Sequence, residues 1–285
     1  MTGMVTVAIV SPGHMGAGLG KSLREGGARV VATVAGRSER TRRLAEGLEL
    51  LPSLAEVVSA ADVVLSVTPP GSALAAARSI ADAARSTGSS PVVADLNAIS
   101  PATMAAVAEA CAGLPVVDGS ISGPPPSTRP GARIYLSGVR ATDVAGLPWN
   151  SQVEPIVLGT ELGSASALKM CTAGVYKGLN ALVTQAMRTA GRYGVLDQVL
   201  ADLARNDLDG SAGVAVSATK AHRFVDEMRE IAATQAGAGL TPALFEALAA
   251  VYAEVATTVL AAGDPESADR SLSPAEIVRR LSPEV

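Results

Sequence analysis

Residues 5–10, Val-Thr-Val-Ala-Ile-Val, are apolar and β-branched and have no helical period, the pattern of a buried strand. Ser11-Pro12-Gly13-His14-Met15-Gly16 follows, then an amphipathic run from Ala17 to Gly27 and a second apolar run over residues 30–34. Strand, glycine turn, helix and strand at this spacing restrict the start of the chain to a βαβ unit of the dinucleotide-binding kind. Gly13 and Gly16, with His14 and Met15 between them, let the backbone approach a pyrophosphate, and the N-terminus of the helix that follows offers it N–H groups. The first position of the fingerprint is Ser11 rather than glycine. After the second strand, an NAD site usually has an acidic residue for the ribose 2′-hydroxyl. This chain has Gly36-Arg37-Ser38 there, with Arg40 close behind. A guanidinium suits a 2′-phosphate, so the turn predicts NADP as cofactor.

The alternation continues. Residues 61–67, 91–95, 116–120, 132–137 and 153–158 read as strands, and 71–87 and 101–112 as helices, the second capped by Ser100. This predicts an α/β fold with a doubly wound, mostly parallel sheet. The character changes after Gly159. One helical pattern covers residues 164–193, and helices alone are predicted over 198–281. A chain of 285 residues fits one large or two ordinary domains. The expected division is a Rossmann domain over 1–162 and an all-α domain for substrate and dimer contacts over 163–285, with the long helix between them.

Composition narrows the function. The formal net charge of −4 supplies no basic field for nucleic acid, and no aromatic residues are interleaved with the arginine clusters. Cys111 and Cys171 lie far apart without metal-ligand spacing, and no secretory signal is read at the N-terminus. Reduced thiols and a cytoplasmic location follow as expectations. No membrane partner is expected, because the most apolar stretch, 243–262, carries Glu246 and Glu254 and reads as a core helix. No residue cluster suggests a metal.

Ligands of an α/β sheet sit at the carboxyl ends of its strands. Thr68, Pro69 and Asn97 occupy such ends and are expected on the nicotinamide side. Residues 120–126, Ser-Ile-Ser-Gly-Pro-Pro-Pro, read as a rigid polar turn in which Ser122 and the Gly123 N–H are the available groups, since proline has no donor. The chain has four lysines: Lys21, Lys169, Lys177 and Lys220. Two of them, Lys169 and Lys177, lie eight positions apart in the long helix and share a face, with Tyr176 and Asn180 close to it. Lysine lowers its pKa on burial, so this face is a candidate acid–base surface. His222 and Arg229 are further candidates, from a partner subunit.

On these residues the chain resembles the 3-hydroxyisobutyrate and 6-phosphogluconate dehydrogenase superfamily, the β-hydroxyacid dehydrogenases. Pro12 to Gly16 resembles the family's glycine turn, and Gly36-Arg37-Ser38 its cofactor-selecting turn. Asp95 to Pro101 resembles its Asp-x-Ser-Thr-x-x-Pro element, and Asp118 to Gly123 its substrate-binding Asp-x-x-Ser-Gly-Gly segment. Gly163 to Lys169 resembles its catalytic helix. Residues 169–178 and 222–228 are similar to a phosphogluconate-dehydrogenase-like subgroup with a distinct C-terminal domain. Pro124 stands where the family has a second glycine, and Ala173 where it has asparagine. The resemblance implies an NADP-dependent oxidoreductase, a homodimer joined through the helical domain, Lys169 as proton donor and acceptor, and a small hydroxy acid or carbonyl compound as substrate. The alternatives are an imine reductase on a similar scaffold and a non-catalytic NADP-binding protein.

Overall fold

The computed structural model describes residues 4–265 and 268–282. The chain divides into two compact units, 1–170 and 171–285.

The first unit is built on one eight-stranded sheet. Its strands are β1 (Thr6–Val10), β2 (Arg29–Ala32), β3 (Glu49–Leu50), β4 (Val63–Ser66), β5 (Val92–Asp95), β6 (Val116–Ser122), β7 (Ala132–Ser137) and β8 (Val153–Gly159). The strand order is β3-β2-β1-β4-β5-β6-β7-β8. All neighbouring pairs are parallel except β6 and β7, which are antiparallel. Alternation along the strands sends side chains to two separate cores. Val7, Ile9, Val63 and Leu65 face one side with Leu19 and Leu23 of α1 (His14–Glu25). Ala8, Val64 and Val93 face the other, with Val57 and Val58 of α3 (Leu54–Ala60), Ile80 of α4 (Ala73–Thr87) and Met104 of α5 (Pro101–Ala110). Covering both faces explains why these strands read as continuous apolar runs. Two short helices, α2 (Glu39–Leu44) and α6 (Ala141–Ala145), and the two-residue strand β3 had no distinct signal at their length.

Two local expectations are corrected. The segment from Ser120 to Ser122 is strand, not turn, because it pairs with Tyr135, Ile134 and Arg133 of β7. The turn begins at Gly123, whose φ of +110° is open to glycine and whose Cβ would strike the Gly131 carbonyl. The apolar stretch 243–262 is not one helix. It breaks after Val255, where the Thr257 and Thr258 hydroxyls donate back to the Glu254 and Val255 carbonyls.

The long helix α7 covers Ser164–Arg192, and the division between the units falls within it. The second unit continues with α8 (Leu196–Ala204), α9 (Ser211–Ala218), α10 (Ala221–Gly237), α11 (Ala243–Val255) and α12 (Pro274–Leu281). Glycines let these helices approach closely. A Cβ at Gly174 would press on Phe245 and Ile231, and one at Gly191 on Val278. Phe224 of α10 meets Tyr252 of α11 edge to face, at 5.2 Å between ring centroids. No helix among the described residues is long and apolar enough to cross a membrane.

Candidate active site

From β1 the strand order runs outward through β2 and β3 on one side and resumes with β4 on the other. Such a switch point opens a crevice beyond the carboxyl ends of β1 and β4, where ligands of open α/β sheets bind. The glycine turn leaves β1 there, and Thr68 and Pro69 follow β4.

Each residue of the turn has a physical reason. Ser11 takes a φ of +67°, the left-handed conformation that glycine adopts most easily. Its carbonyl accepts the Gly13 N–H at 2.8 Å. Gly16 is required from inside, since a Cβ there would lie 2.7 Å from the Ser11 carbonyl oxygen. Gly13 is different. Its φ is −72°, and nothing lies within 4 Å of a Cβ built on it. Neither conformation nor packing demands glycine, and the open space suits a group that comes close from outside. No side chain of the N-cap Gly13 caps α1, and a helix start carries the N–H groups and positive potential that suit an anion. These features fit a dinucleotide pyrophosphate. Met15 packs on the core beneath, and His14 Nε2 lies 3.1 Å from Thr128 Oγ1.

At the end of β2, Arg37 and Ser38 are exposed and Arg40 is half-buried. Ser38 Oγ caps α2 by accepting the Thr41 N–H, and the Arg37 carbonyl accepts from Arg42 Nε. The cap fixes the backbone that carries Arg37 and Arg40.

Asn97 is 2% exposed, and its side chain binds protein groups on both ends. Its Oδ1 accepts the Thr68 N–H at 2.5 Å, and its Nδ2 donates to Asp95 and Ser66. Asn97 thus holds the Thr68 backbone in place from below. Burial pushes the Asp95 carboxyl up to about 7; hydrogen bonds from Asn97 and Ser66 oppose the rise and the neighbouring Asp118 adds to it.

The reaction end is assembled at β6. Its carboxyl end lies on the same sheet edge as those of β1, β4 and β5, because these strands are parallel. The half-buried Lys169 donates from Nζ to the Ile121 carbonyl at 2.7 Å. This places the ammonium beside Ser122 and Gly123. Lys177 and Tyr176 belong to the second unit. There Lys177 forms an ion pair with Glu227, stands 4.7 Å above the Phe224 ring, and accepts the Tyr252 hydroxyl at its own carbonyl. Tyr176 is 69% exposed, and His222 and Arg229 are also exposed. No cluster of metal-ligating side chains occurs among the described residues. Sequence reasoning missed the partners of these groups, including Thr128 and Glu227. Glu227 lay within a run of charges, and its burial left no mark on the local pattern.

Residues 6–145 match the family model for the NAD binding domain of 6-phosphogluconate dehydrogenase. Residues 190–255 match a domain of unknown function, DUF1932. An uncharacterized 28.5 kDa protein of Methanothermus fervidus is 27% identical over 174 residues, 60% of this chain and 65% of that protein, a little under two thirds of its length. Among solved structures, the conserved protein MTH1747, described as similar to 3-hydroxyacid dehydrogenases, is 28% identical with a TM-score of 0.65, covering 88% of this chain and 96% of that one. The Mycobacterium tuberculosis 3-hydroxyisobutyrate dehydrogenase solved with L-serine is 18% identical with a TM-score of 0.65, covering 98% and 99%. A reductive aminase from Aspergillus terreus, solved with NADPH, shares the fold at 15% identity and a TM-score of 0.55, covering 88% and 93%.

Proposed function

Since this chain belongs to the 3-hydroxyacid dehydrogenase superfamily, whose members are NAD(P)-dependent oxidoreductases, we propose that it transfers a hydride between NADP(H) and a small hydroxy acid or its carbonyl counterpart. The observation that carries the reading is Lys169, held by the Ile121 carbonyl at the sheet edge that bears the glycine turn.

The residues divide the work by their chemistry. Gly13, His14, Met15 and Gly16 hold the pyrophosphate on N–H groups at the start of α1. Arg37, with Ser38 and Arg40, binds the 2′-phosphate. Thr68 and Pro69, fixed from below by Asn97, flank the nicotinamide. When bound, a nicotinamide would supply or accept the hydride. Ser122 and the Gly123 N–H hold the substrate, and Lys169 exchanges a proton with its oxygen. Pro124 supplies no N–H, so the substrate contact rests on Ser122 and Gly123.

Lys177 is a weaker candidate for proton exchange, because Glu227 occupies its ammonium. An imine reductase remains the competing chemistry, and a lysine at position 169 favours oxygen over nitrogen at the reacting carbon. Two free thiols, Cys111 buried and Cys171 exposed, suit the reducing cytoplasm. The apolar residues exposed on α7 support a homodimer joined through the helical domain.

The test is a panel of 2- and 3-hydroxy acids, their keto forms and cyclic imines, each with NADP(H). Oxidation of at least one hydroxy acid is expected. Lys169→Ala should lower its turnover by about 10²–10⁴-fold, the usual share of general acid–base catalysis, and leave NADPH affinity unchanged. Turnover of imines alone would support the competing chemistry. NADPH binding without turnover of any compound would support a binding protein.

A further inference from the structure

Asp118 stands in the middle of β6 and is fully buried. Its Oδ2 accepts the N–H groups of Gly163, Ala165 and Ser166 at 2.9, 3.0 and 3.1 Å, and the Ser137 hydroxyl at 2.9 Å. Its Oδ1 accepts the Ser166 hydroxyl at 2.7 Å. The first N–H groups of a helix have no partner within it, and the start of a helix carries positive potential. One buried carboxylate answers both needs for α7. Two more ties follow along the same strand. Ser120 donates to the Ala165 carbonyl at 2.9 Å, and the Ile121 carbonyl accepts from Lys169 at 2.7 Å. Residues 118, 120 and 121 of β6 are thus joined to residues 163–169 at the start of the helix.

The resemblance put the whole segment from Asp118 to Gly123 at the substrate. Burial divides it. A fully buried carboxylate cannot touch substrate, while Ser122 is half-buried and Gly123 exposed.

We propose that Asp118 is the positioning residue of this site: by capping the start of α7 it fixes that helix against β6 and sets Lys169 beside Ser122 and Gly123. The proposal rests on the reading of Lys169 as the acid–base group. In Asp118→Asn the new amide turns N–H groups toward N–H donors. The start of the helix then loosens and Lys169 leaves the Ile121 carbonyl.

The test uses the small number of lysines. Amine labelling of the whole protein, followed by mass spectrometry, reports Lys21, Lys169, Lys177 and Lys220 separately. In Asp118→Asn, Lys169 should label roughly tenfold faster, the factor expected for one lost charge-assisted hydrogen bond. Lys21, in the same unit, should label at its wild-type rate. Turnover should fall while NADPH affinity is unchanged. If Asp118→Asn does not fold, Ser166→Ala carries the test. It removes one of the five hydrogen bonds described and should give a smaller rise confined to Lys169. An unchanged Lys169 rate, or equal acceleration at all four lysines as a general loosening would give, overturns the proposal. The two readings fail separately. Full turnover in Lys169→Ala removes the acid–base role, whereas the labelling result speaks for or against Asp118 whatever the substrate.

Discussion

Asp95 and Asp118 are register partners on adjacent strands, both buried, and the structure treats them differently. Asp118 meets five donors at the start of α7. Asp95 is bonded by Asn97 and Ser66, and burial raises its pKa from 3.8 to about 7 against them. The sign of the consequence follows from linkage. Between about pH 4 and 7 the unfolded chain has released this proton and the folded chain still holds it. The folded state therefore loses stability as pH rises through that window, by on the order of 4 kcal/mol in total. Asp95→Asn should remove this dependence. Urea unfolding of both proteins from pH 4 to 8 checks it, and a constant difference between them would refute the assignment. Arg37 makes the second prediction at this scale. A charge-assisted contact to the 2′-phosphate contributes roughly 1.5–3 kcal/mol, so Arg37→Ala should cut the preference for NADPH over NADH by on the order of ten- to a hundredfold. Fluorescence titration with both nucleotides measures it, and an unchanged ratio would move the selecting group elsewhere.

In the long helix, two lysines of one type and one spacing have different surroundings. Lys169 reaches a strand carbonyl beside the proposed substrate groups. Lys177 is paired with Glu227 of α10, whose side chain is 3% exposed, and lies over Phe224. Removing Lys177 leaves buried Glu227 with only the half-exposed Arg223 at 3.5 Å, and breaking a buried pair costs up to about 3–5 kcal/mol. Lys177→Ala should therefore lower the melting temperature of the protein by several degrees while NADPH still binds. Lys169→Ala should do the reverse, leaving stability near wild type and abolishing most turnover. Calorimetry and kinetics on the two variants separate the roles, and a catalytic loss in Lys177→Ala without a loss of stability would exchange them.

At the scale of the whole molecule, α7 exposes several large apolar residues among those described. Val175, Leu179 and Leu182 are 60%, 41% and 57% exposed and follow one another at helical spacing. Exposed apolar residues along one helix are consistent with the proposed association through this domain. A homodimer covering this stripe should persist at micromolar concentration, and Leu182→Glu should shift it to monomer. Light scattering of both proteins decides the point; a wild-type monomer with full activity would remove the dimer from the proposed function.

The order of elements in the first unit was legible because β-branched runs, glycine turns and proline punctuation are local signals. The glycine turn was legible for the same reason, since Ser11 and Gly16 act through nearby backbone. The length of β6 was not, because Ser120 to Ser122 is strand only by pairing with β7, more than ten residues onward. The split of the lysines was not, because Ile121 and Glu227 lie 48 and 50 positions from Lys169 and Lys177. The role of Asp118 showed only as a charge within an apolar strand. By itself the sequence determined the class of fold, the place of the glycine turn and the lysines to consider. Only the tertiary structure decided that Lys169 reaches the Ile121 carbonyl, that Lys177 pairs with Glu227 and that Asp118 caps the start of α7, because hydrogen bonds across long stretches of chain leave no period in the residues that make them.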